Sequence, residues 1–179
     1  MTTPERRADA ESRLRKAHAT LGAAKALIAL DPPCRDDAVN RAAMAALQAA
    51  RALVDSKWAR DSHPDWDPSR RTPPALSSRE GFSLDVLQRL FDRFERLSSS
   101  LKLAPDFTQY LRTLVEDGIE ADAGAGPEYD DEEARGAIAT SEQLVMTVAG
   151  QLGMSEELRA LATAVPLPRP AAVIPSRSP

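Results

Sequence analysis

Residues 38–54 read AVNRAAMAALQAARALV, a stretch in which alanine is the commonest residue. Apolar residues recur there at helical spacing, and we predict a helix over residues 36–60. Small side chains give such a helix a smooth surface, which lets neighbouring helices pack at a short axial distance. The stretch therefore predicts a core built from closely packed helices. The predicted inner face of this helix holds Val39, Ala43, Ala46, Ala50, Leu53 and, at its end, Lys57 or Trp58.

The composition of the whole chain also favours helices. Apolar residues make up 42% of the 179 residues, which is enough for a core, but aromatic residues make up only 4%. Sheets draw on aromatic and β-branched residues, so the composition disfavours a β-sandwich. A core of alanine and leucine instead needs helices that approach closely, because small side chains fill little space.

Further helices are predicted on both sides of this stretch. One covers residues 4–30 and ends at Asp31-Pro32-Pro33, since proline cannot continue a helix. Others cover residues 84–101, 105–118 and 131–152, and a short one follows Gly153. Asp130 and Glu133 are spaced as in a capping box at the start of the helix over 131–152, and Gly153 sits where a C-terminal cap is expected. The predicted fold class is therefore all-α, an antiparallel bundle of four to five helices within residues 1–164. The inner face of the first helix holds Ala10, Leu14, Ala17, Leu21, Ala24 and Ile28.

Two proline-rich segments separate or follow the helices. Residues 61–80 contain four prolines and many turn formers, so they are predicted to form a long loop between the second and third helices. A loop of this length in a compact domain is uncommon and often functional. Residues 165–179 contain five prolines and cannot continue a helix, so we predict a disordered, flexible tail.

Charge and cysteine content bound the partners and the compartment. The net charge is −4 and the pI is near 5.3, so bulk electrostatics would not drive binding to nucleic acid. The single cysteine, Cys34, cannot form an internal disulfide, which favours a reducing compartment. The N-terminus has no apolar signal segment, and the apolar runs are far shorter than the roughly 20 residues that span a bilayer. We predict a cytoplasmic protein that does not enter the membrane.

The sequence lacks the spacing that is typical of metal and cofactor sites. Its only histidines are His18 and His63, and it has no cysteine pair. The acidic residues 117–131 do not follow the order of a calcium loop, and no glycine-rich phosphate loop is present. Cys34 precedes a predicted helix start, which can lower a thiol pKa, although a lone cysteine is more often incidental. We predict no metal, no cofactor and no catalytic residue.

Two segments are candidates for binding a partner protein. The long loop brings a histidine, carboxylates and arginines close together in sequence. These residues could bind an anion or act on a phosphodiester, or they could simply form turns, with a tryptophan anchored on the bundle. Alternating prolines in the tail favour the polyproline conformation, which docks in aromatic grooves, while the alternative is a plain disordered terminus. The candidates are Trp58 near the end of the second helix, His63, Trp66, Arg70 and Arg71 in the loop, and Pro166, Pro168, Arg169 and Pro170 in the tail.

The order of the helices carries a family resemblance. An alanine-rich second helix is followed by Tyr110-Leu111-Arg112, then by Glu120-Ala121-Asp122, and then by Asp131-Glu132-Glu133-Ala134, which opens the last long helix. In this progression, residues 8–152 resemble HEPN domains. The resemblance implies a helical bundle that binds a partner protein, a nucleotide or a second copy of itself.

The ribonuclease members of that family carry an arginine, four to six residues and then a histidine. Arg13 and His18 match those letters, but they lie in the first helix, whereas the family places the motif in a later one. Five residues of helix also separate their directions by about 140°, because an α-helix has 3.6 residues per turn. The resemblance therefore implies a non-catalytic member.

The function that we predict from the sequence is a non-enzymatic helical binding or assembly module. It would act through protein–protein contacts, and homodimer formation is one form that such contacts could take. Two alternatives stay open: a HEPN-type ribonuclease or toxin component, and a sensor that holds a small ligand in a pocket within the bundle.

Overall fold

The computed structural model describes residues 3–57, 84–104, 106–123 and 128–164, in which all regular secondary structure is helical. The all-α prediction is confirmed. None of the helices in these residues is long and apolar enough to cross a membrane. The helices are α1 (Thr3–Ile28), α2 (Arg35–Lys57), α3 (Leu84–Ser100), α4 (Phe107–Ala123), α5 (Asp131–Leu152) and α6 (Ser155–Ala164).

Helix α2 runs through the middle of the bundle, with α1, α3, α4 and α5 packed around it. Every residue from Ala38 to Val54 is buried except Arg41. The alanine-rich surface is therefore used on nearly all sides. Short side chains make this possible, because they let several helices approach one central helix at interior packing density.

Helix α5 runs parallel with α2. Arg35 pairs with Asp131 near the start of both helices. Further along both, the Ser141 hydroxyl donates to the Ala42 carbonyl at 2.8 Å, and Ser141 is fully buried. Because a buried hydroxyl without a partner is costly, this hydrogen bond fixes the register of the two helices.

Helix α3 also runs parallel with α2. The C-terminal end of α4 meets the N-terminal end of α2, where the Asn40 amide donates to the Gly118 carbonyl at 3.0 Å. Helix α3 turns back into α4, and the Arg112 guanidinium of α4 stacks over the Phe91 ring of α3 at 4.8 Å. Residues 58–83, which link the two helices in sequence, lie outside the described residues.

Helix α4 extends five residues beyond the end predicted at Gly118. Gly118 is buried against α2, and its carbonyl accepts the hydrogen bond from Asn40. Glycine disfavours a helix by about 1 kcal/mol relative to alanine, but tertiary packing overrides a propensity of this size. The predicted helix end was wrong because it considered the low helix propensity of Gly118 without its contact with Asn40 of α2.

Both ends of α5 form as the sequence predicts. Asp130 is the N-cap, and its carboxylate accepts from the backbone N–H groups of Glu132 and Glu133 while Glu133 bonds back to the cap. Gly153 ends the helix with a φ of 73°, a left-handed conformation that glycine adopts without strain. Helices α5 and α6, on the two sides of Gly153, both contact α1.

Candidate functional site

Helix α1 has two apolar faces, and within the described part of the chain only one of them packs against other helices. The buried stripe contains the six residues predicted for the inner face and packs on α2 and α5. The opposite side is exposed except at Ala26, which is half-buried, and it carries no charged residue over about three helical turns. We call this surface the outer face of α1; it consists of Ala19, Gly22, Ala23, Ala26 and, in the turn after the helix, Leu30.

An open groove of about 600 Å³ follows this face. Leu30 is 52% exposed, which makes it the most exposed large hydrophobic side chain of the described residues. Lys16 stands at one end of the groove, and Arg41, the one exposed residue in the middle of α2, forms part of its wall. The groove is lined by Lys16, Ala19, Thr20, Ala23, Ala26, Leu27, Leu30 and Arg41.

Gly22 is the least expected residue on the outer face. It lies in the interior of α1, where glycine is less favourable than alanine by roughly 0.5–1 kcal/mol. A Cβ added there would meet no atom within 4 Å, and the backbone does not need a positive φ. The described residues of this chain therefore give no steric reason for the glycine.

The flank of α1 that faces α5 and α6 is occupied by internal ion pairs. Lys25 pairs with Glu142 at 2.6 Å, and Arg15 pairs with Glu157 at 2.6 Å. His18 lies on the same flank, where burial, and then the charge of Lys25, lower its pKa below the ordinary value of 6.5. His18 and Lys25 are the only ionisable residues between Lys16 and Asp31, and both belong to this flank and not to the outer face.

The other flank of α1 contains a buried polar cluster against the C-terminal end of α2. The Asp55 carboxylate lies 3.2 Å from the Arg13 guanidinium and 3.8 Å from that of Arg51. Burial, followed by the neighbouring charge of Arg13, lowers the pKa of Arg51. Two arginines around one carboxylate hold α1 and α2 in register, because a buried charge is tolerated only when it is paired.

This cluster also separates the two residues that match the letters of the ribonuclease motif. Arg13 is engaged with Asp55 of α2, whereas His18 lies beside Lys25 and near Glu142 of α5. The two side chains lie on different flanks of α1, as their helical spacing predicts. Arg13 and His18 therefore do not form a joint site.

Cys34 occupies the position before α2. Its backbone N–H donates to the Leu27 carbonyl at 3.1 Å, and its own carbonyl accepts from the N–H of Ala38 at 3.0 Å. The residue is half-buried in the turn that joins α1 to α2. Its backbone contacts thus serve to start α2.

The acidic residues between α4 and α5 take part in packing. The Tyr129 hydroxyl donates to the Asp117 carbonyl at 3.1 Å, and burial together with the charge of Asp117 raises the pKa of Tyr129 to about 12. Burial also raises the pKa of the Asp117 carboxyl. Among the described residues, no group of three or more histidine, cysteine, aspartate or glutamate side chains could hold a metal ion.

The partner-binding residues predicted from the sequence lie outside the described residues. This holds for Trp58, His63, Trp66, Arg70 and Arg71 in residues 58–83, and for Pro166, Pro168, Arg169 and Pro170 in residues 165–179. Their proposed role stays a prediction, as do the loop and the disordered tail themselves.

Sequence reasoning missed the outer face of α1. It identified the inner stripe of this helix and assigned the remaining alanines no role. The signal was nevertheless present: residues 17–30 include no acidic residue and a single lysine, Lys25. A solvent-facing helix side usually carries charge, so a second uncharged stripe on one helix is a sign of a further contact.

No protein-family model matches the chain, and no curated protein or solved structure matches it either. The resemblance to HEPN domains stays a prediction, and the candidate site has to be judged from its own geometry.

Proposed function

We propose that the protein is a helical binding module that acts through protein–protein contacts and uses the outer face of α1 as its docking surface. The observation that carries this proposal is the uncharged, solvent-facing stripe from Ala19 to Leu30. A helix that is apolar on both sides is normally buried on both sides. In the described residues, only the inner side of α1 is buried.

The shape and the composition of the groove support the same function. Its floor consists of small side chains, which a partner helix can approach closely, and Leu30 offers a larger apolar side chain at one end. Lys16 and Arg41 supply charge at its edges. An apolar centre with a charged rim is the usual anatomy of a protein–protein interface.

A photo-crosslinking amino acid at position 26 tests this function in the native cells of the protein. A matched variant carries the same group at position 8, because Ala8 is an exposed alanine of the same helix but lies outside the groove. We expect a discrete crosslinked protein product from position 26 and none from position 8. Absence of any product at position 26, with the protein folded and abundant, would overturn the proposed function.

A further inference from the structure

We draw no further inference here: the strongest candidate, the groove along the outer face of α1 with the basic side chains of Lys16 and Arg41 in its lining, belongs to the surface already proposed for docking, and nothing in the described residues shows what covers it.

Discussion

Helix α2 and the outer face of α1 are built from the same small residues but occupy opposite environments. Ala42, Ala46 and Ala49 of α2 have no exposed surface, whereas Ala19 and Ala23 of α1 face solvent. In α2 the alanines allow four helices to pack around one. On α1 the same surface has no neighbour within the described residues, and it is the surface on which the proposed partner would dock.

The comparison shows that alanine content alone does not distinguish a core from an interface. What distinguishes them is the charge around the stripe and the presence of packed neighbours. Around α2 other helices occupy every side except that of Arg41. Around α1, the charged residues Lys25 and Arg15 turn toward α5 and α6 and leave the outer face uncharged.

Truncation of a leucine in each region should give the largest difference. Leu47 of α2 is 1% exposed, whereas Leu30 is 52% exposed. We expect Leu47→Ala to lower the free energy of unfolding by about 2–5 kcal/mol, because it leaves a cavity in the core. Leu30→Ala should change it by less than about 0.5 kcal/mol. Urea unfolding of dilute, monomeric protein measures both values, and equal losses would refute the assignment of the two environments.

Replacement of an alanine by leucine should give the second-largest difference in stability between α2 and the exposed surface of α1. Ala46 is fully buried, and Ala46→Leu is expected to destabilise the fold by about 1–3 kcal/mol, since extra methylenes must displace packed neighbours. Ala8→Leu, at an exposed position of α1, should stay within about 0.5 kcal/mol of the wild type. The two variants carry the same chemical change, so a similar unfolding midpoint for both would contradict the central position of α2.

Replacement of Gly22, the exposed glycine of α1, should change the free energy of unfolding by less and in the opposite direction. Gly22→Ala is expected to stabilise the monomer by roughly 0.5–1 kcal/mol, because alanine favours the helix and an added Cβ meets open space. Thermal unfolding at low concentration measures the change. Destabilisation of the monomer by this substitution would mean that the outer face of α1 is already covered within the chain.

The smallest effect concerns pH and the flank of α1 that faces α5. Burial lowers the folded pKa of His18 below 6.5. As the pH falls, the unfolded chain therefore binds more protons at this residue than the folded chain does. Stability is therefore expected to be unaffected by His18 well above its unfolded pKa of about 6.5, and to decrease as the pH falls through that value toward the lower folded pKa. Chemical unfolding as a function of pH should show a shallower slope for His18→Gln. Identical slopes for the wild type and for His18→Gln would mean that folding does not bury His18.

Much of the fold follows from local sequence signals, and the exceptions have identifiable causes. The capping box at Asp130 and the glycine cap at Gly153 were predicted, because caps depend on a few neighbouring residues. The end of α4 was not, because Gly118 is held in the helix by its contact with Asn40 of α2. Such a contact depends on a residue far away in the sequence.

The candidate site was harder to predict for the same reason. The stripe with Ala23 at its centre can be read from the sequence, but its exposure depends on where α2 and α5 pack around α1. The groove between Leu30 and Arg41 also needs two helices that are separate in sequence. The residues that the sequence did favour, such as His63 and Arg169, lie outside the described part of the chain.

Accessibility of the outer face in cells tests the central claim most directly. A cysteine at position 26, in a Cys34→Ser background, can be labelled with a permeable maleimide in native cells and in dilute purified protein. The account predicts labelling that is markedly slower in cells at position 26 and similar in both settings for a cysteine at position 8. Equal labelling rates in the two settings at position 26 would show that nothing covers this face and would contradict the account.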